Sequence, residues 1–85
     1  MSEQQRAQQR QLGKLRVRRR IDLRRFALAV LLSPTRLRMY EHGIATCHPR
    51  IFSRICAALH VRVDSAGVII EEEDHAEPNR KEGRE

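Results

Sequence analysis

Between residues 12 and 60, apolar positions recur at intervals of three and four, and each run closes on a residue that caps or breaks a helix. In the first run, Leu12, Leu15, Arg16 and Arg19 share one helical face, preceded by the Gln/Arg-rich stretch 1–10, which is expected to fray. Asp22 is suited to cap a second helix, reaching to about Leu31, with Phe26, Ala27 and Val30 turned inward. Ser33 caps a third, and Pro34 stands at its first position, where a missing N–H costs nothing. Leu37, Tyr40 and Glu41 share one side of that helix, and Gly43 ends it. After a loop over 44–48, Pro49 opens a fourth helix to about His60, burying Ile51, Phe52, Ile55, Ala58 and Leu59. Val61-Arg62-Val63 is short and extended. Asp64 or Ser65 then caps a last helical turn through Ile70, although Val68-Ile69-Ile70 reads equally as a strand pairing across a dimer. The pattern predicts an all-α domain of four to five helices over 11–70.

Charge divides the chain in two. Residues 1–62 hold fourteen Lys/Arg against Glu3, Asp22 and Glu41, a net +11, whereas residues 63–85 carry −5; together they give +6. A basic body points to a polyanionic partner. The acidic run Glu71-Glu72-Glu73-Asp74 opens a tail over 71–85 whose composition predicts disorder, and which is suited to shield the basic face. Phe26, Tyr40 and Phe52 are the only aromatics, too few for a stacking platform that binds single strands. The N-terminus has no signal-peptide pattern, and the longest strongly apolar run, 26–32, is too short to span a bilayer. A cytoplasmic protein without a membrane segment is the expectation.

Residues 22–42 are the informative stretch: two short amphipathic segments about a tight break, the second pointing arginines and a threonine away from its apolar side. This is the layout of a helix-turn-helix, whose second helix enters the major groove of DNA. Leu12, Leu15, Arg16, Arg19, Ile21, Asp22, Phe26, Ala27, Ser33, Leu37, Glu41 and Gly43 follow one another at an ungapped spacing, with Pro49, Ile55, Ala58, Leu59 and Val61 beyond. This series resembles the Xre/Cro family of phage-repressor-like helix-turn-helix regulators over about two-thirds of the chain. The resemblance implies a compact lambda-repressor-like fold, a salt bridge between Arg16 and Glu41 that ties the first helix to the recognition helix, and a core position for Cys56. It also implies double-stranded DNA as partner, a homodimer on a near-palindromic site, and Arg24 and Arg50 near phosphates. Leu23, Leu31 and Pro34 depart from the family's common glutamine, turn glycine and polar base-reading residue.

On a wheel of about 100° per residue with Leu37 facing the core, Thr35 and Met39 lie near the opposite pole, flanked by Arg36 and Arg38, with His42 between Met39 and Arg38. Thr35 and Met39 suit thymine methyls; Arg36 or Arg38 suits guanine or phosphate. Ser33, Pro34, Thr35, Arg36, Arg38, Met39, His42, Arg24 and Arg50 form the candidate DNA-contact set. The run Arg16-Val17-Arg18-Arg19-Arg20 reads as a solvated helix end near the DNA backbone rather than an RNA-reading segment.

Cys47, His48, Cys56 and His60 contain one pair four apart, but no CxxC spacing supports a metal, and no nucleophile–base pair suggests an enzyme. No cofactor is expected. The reading is therefore a small sequence-specific transcriptional regulator acting as a repressor. Its alternative is a protein-interaction module, or the antitoxin of a toxin–antitoxin pair, that binds a toxin or a phage or host factor. Arg38-Met39-Tyr40-Glu41 also echoes the mercury-resistance-regulator type, but a full helix precedes the motif here and no long coiled coil follows.

Overall fold

The computed structural model describes residues 3–72. Four helices, α1 (Glu3–Arg18), α2 (Leu23–Ala29), α3 (Pro34–Glu41) and α4 (Pro49–Leu59), precede two short strands, β1 (Val61–Val63) and β2 (Ile69–Glu71). The core joins Leu12 and Leu15 of α1, Phe26, Ala27 and Val30 of α2 and its turn, Leu37 of α3, Ile55, Cys56 and Leu59 of α4, and Val61 of β1. Leu37, Leu59 and Val30 are its largest fully enclosed side chains.

The fold is mostly helical but not all-α. The expected fifth helix is absent: β1 and β2 pair antiparallel within the chain, Arg62 opposite Ile70, so Ile69 and Ile70 do not need a second copy to form a strand. The reason lies at Asp64. Its Oδ1 accepts from the N–H groups of Ala66 and Val68, as a helix cap would, but Gly67 at φ 83° turns the chain back on itself. Glu71 belongs to β2, and the N–H of Glu72 bonds the carbonyl of His60, so the folded domain extends into the start of the acidic run. The rest of that tail, from Glu73, lies outside the described residues.

The segment expected to fray is helical from Glu3 onward. Gln9 is buried, and its amide is fully engaged: Nε2 donates to the carbonyls of Tyr40 (2.9 Å) and Ala45 (2.7 Å), and Oε1 accepts from the N–H of Cys47 (3.0 Å). Gln5 donates to the carbonyl of Cys47 at 2.8 Å, and Gln8 to that of Gly67 at 2.7 Å. These amides satisfy loop backbone that water would otherwise have to reach.

The first three helices end in the same way. The residue after the cap is left-handed, and two backbone bonds reach back to the last-turn carbonyls. Arg20 (φ 61°), Leu31 (φ 62°) and Gly43 (φ 70°) hold these positions. Only Gly43 adopts the conformation without strain; for a residue with a Cβ it costs about 1–2 kcal/mol.

Candidate nucleic-acid interface

Two side-chain caps set the α2–α3 unit. Asp22 Oδ2 accepts from the N–H of Arg25, and Ser33 Oγ accepts from the N–H of Arg36, each at 3.1 Å. Pro34 follows Ser33 at the head of α3. The turn between the helices is braced from outside: Arg54 of α4 donates from Nη1 to the carbonyl of Val30 at 2.9 Å. In the sequence, Arg54 is marked only as a cation on the half-buried side of α4.

α3 divides cleanly. Leu37 and Tyr40 are buried, while Pro34, Thr35, Arg36, Arg38 and Met39, with His42 just beyond, are exposed. Arg24 is exposed on α2, and Arg50 is exposed in the first turn of α4. His48 caps that helix through Nδ1, which accepts from the N–H of Arg50 at 3.0 Å. His48-Pro49 thus repeats the arrangement of Ser33-Pro34, a parallel that the repeated polar-proline step announces.

The position of α3 is fixed from α1. Arg16 meets Glu41 with two bonds, Nε to Oε2 at 2.7 Å and Nη2 to Oε1 at 3.0 Å, and its Nη1 donates to the carbonyl of Ile21. The two side chains are only 11 % and 12 % exposed. One turn earlier, a Cβ on Gly13 would lie 2.7 Å from Cβ of Glu41, so α1 and α3 approach as closely as they do because residue 13 has no side chain.

The charges sort by location. Among the described residues, Arg6 and Arg10 pair with Glu3, Arg16 with Glu41, Arg18 and Arg19 with Glu71, and Arg62 with Glu72. Arg19 also donates to the carbonyl of Leu59. Arg16, Arg18 and Arg19 are thus bonded within the domain, while Arg18 stays largely exposed and Arg20 is exposed with no bonded side chain among the described residues. Glu71 thus pairs with cations of α1, and Glu72 with one of β1. The guanidiniums of Arg19 and Arg18 hold the Glu71 carboxyl below its usual range, the Arg19 hydrogen bond contributing most. By contrast, Lys14, Arg20, Arg24, Arg25, Arg36, Arg38 and Arg50 make no side-chain hydrogen bond or ion pair with the described residues. Four of these seven lie on the α2–α3 unit, one opens α4, and Lys14 and Arg20 stand on α1 and just past its end.

The cysteines occupy the interior. Burial pushes the Cys56 thiol up to about 11 and raises that of Cys47 as well. Such thiols behave as small hydrophobes rather than ligands or nucleophiles. Among the described residues, no three His, Cys, Asp or Glu side chains converge to hold a metal ion. No helix among them is long and apolar enough to cross a membrane. Comparison with protein-family models, curated proteins and solved structures finds no match to this chain.

Proposed function

We propose that this chain is a small, lambda-repressor-like transcriptional repressor that binds double-stranded DNA as a homodimer, with α3 in the major groove. The observation that carries the reading is that five of the seven uncompensated cations among the described residues, Arg24, Arg25, Arg36, Arg38 and Arg50, stand on α2, α3 and the start of α4, beside two exposed, base-sized probes, Thr35 and Met39. Phosphates would meet Arg24, Arg50 and the capped start of α3 around Ser33 and Pro34, setting register. Arg36, Arg38, Thr35 and Met39, with His42 at the far end, would read base edges. Arg16 and Glu41 hold the reading helix and touch no DNA in this scheme.

The test is selection of bound sites from random duplex DNA by the purified protein, followed by affinity against salt. Enrichment of a palindrome is expected, with log K falling by about 0.9 per neutralised phosphate for each decade of salt. Arg36→Ala and Arg38→Ala should weaken binding. A flat salt response with no enriched site overturns the reading. A second reading, an interaction module or antitoxin that binds a partner protein, is favoured by Leu28 and Leu31, which stand 77 % and 74 % exposed beside the turn.

A further inference from the structure

The outer face of α2 and its turn carries two exposed leucines and two free cations. Leu28 follows Arg24 by four residues and Arg25 by three, so all three lie on one helical face, and Leu31 follows within another turn. Arg24 and Arg25 are exposed and have no bonded partner for their side chains among the described residues. Leu31 is the anomaly. It occupies the left-handed position that ends α2, where glycine would be unstrained, and its side chain projects into water. Within the domain this leucine gains nothing by burial and is strained in its backbone. Val30 beside it is fully buried, and Leu32 is half-buried against the core, so the exposure belongs to residue 31 and not to a loose turn.

We infer that Leu28, Leu31, Arg24 and Arg25 form a docking surface for an acidic protein segment: leucine-sized pockets or side chains for the two leucines, carboxylates for the two arginines. The inference rests on the protein-partner reading and not on the DNA reading. Charge selects the occupant. A second copy would bring arginine against arginine at the same patch, a like-charge contact that a segment bearing carboxylates avoids. A phosphate backbone satisfies the arginines but offers no apolar surface to the leucines. A carboxylate-bearing amphipathic segment satisfies both, the apolar pair supplying affinity and the arginines supplying orientation and rate.

The variant Leu31→Gly separates this role from folding, because glycine relieves the backbone strain while removing the side chain. The probe is a short synthetic helical peptide with leucines at i, i+3 and i+7 and glutamates elsewhere, followed by fluorescence anisotropy. A matched peptide with lysines in place of glutamates is the control. The wild-type chain should bind the acidic peptide and not the basic one. Leu31→Gly and Leu28→Ser should each weaken it by about tenfold or more. Arg25→Glu should weaken it and flatten its salt dependence. Duplex DNA affinity should be the same for wild type, Leu31→Gly and Leu28→Ser, which keeps failure of this surface distinct from failure of the DNA reading. Equal peptide binding by wild type and both leucine variants moves the protein-partner role to another face and overturns the proposal. So does absence of peptide binding, or a wild-type dimer that Leu31→Gly dissociates.

Discussion

Glu41→Ala tests the joint between α1 and the candidate reading helix. In the native domain the Arg16 guanidinium spends two N–H groups on Glu41 and one on the carbonyl of Ile21, with both side chains about one-tenth exposed. Removing the carboxylate leaves a nearly buried cation with one carbonyl partner. Breaking a buried pair by deleting one member costs about 3–5 kcal/mol, whereas an exposed pair is worth about 0–1 kcal/mol. The residual exposure places this pair toward the lower end of the buried range, at about 3 kcal/mol. A domain of this size has a total stability of about 4–10 kcal/mol, so the variant should still fold at low temperature while losing a large fraction of its margin. Urea unfolding followed by circular dichroism reads the loss as a lower midpoint with an unchanged slope. Arg16→Met combined with Glu41→Leu should recover much of it, because the pair's attraction is offset by the cost of desolvating it. A loss below about 1 kcal/mol, or additive losses in an Arg16/Glu41 double-mutant cycle, would refute the buried-joint argument.

Three further outcomes follow from the same packing. Gly13→Ala should destabilise the domain by about 1–2 kcal/mol in thermal unfolding, despite alanine's better helix propensity, because the new methyl meets Glu41; a stabilised variant would show that α1 and α3 can separate freely. Gln9→Ala strands the Cys47 N–H and the Ala45 carbonyl, while the Tyr40 carbonyl keeps the Gly43 N–H, so a loss of about 2 kcal/mol is expected, along with faster alkylation of Cys47 as the loop over 44–48 opens; an unchanged alkylation rate would count against the clamp. The Glu71 carboxyl titrates below its ordinary 4.5, so its contribution is present above that value and lost as pH falls through the lowered one. Amide resonances of β2 should therefore shift in that acidic window in wild type but not in Glu71→Gln, and identical profiles would remove Glu71 from the contact with Arg18 and Arg19.

Local chemistry was the part of the fold most legible in the sequence. Asp22, Ser33 and Pro34 act within three residues of themselves, and their caps appear where the pattern puts them. The same locality misled at Asp64, whose bonds to Ala66 and Val68 imitate a helix start but close a hairpin turn; three apolar residues at 68–70 were too few to distinguish a strand from a helix. The glutamines of α1 were opaque for the opposite reason. Nothing near Gln9 in the chain announces partners at Tyr40, Ala45 and Cys47, so a polar stretch read as a frayed end. Within the arginine run, the Arg16–Glu41 bridge was legible through the family resemblance, whereas the pairing of Arg18 and Arg19 with Glu71 was not. At the candidate interface, the exposed side of α3 was legible from helical periodicity, and the His48 cap from a polar-proline step like Ser33-Pro34, whereas Arg54 needed the packing of α4 to acquire a meaning.

The bond from Gln8 to the carbonyl of Gly67 crosses 59 positions, almost the length of the described chain. On a ribosome, α1 emerges first and has to wait for the hairpin turn to be synthesised before that amide finds its carbonyl. Until then it is the hairpin that lacks its tie to α1, since the joint that holds α3, Arg16 to Glu41, needs no residue beyond 41. A nascent chain stalled before Gly67 would then already contain every residue of the helical core and of the α1–α3 joint, and would lack only the hairpin and the Gln8 bond that fastens it, worth about 1 kcal/mol.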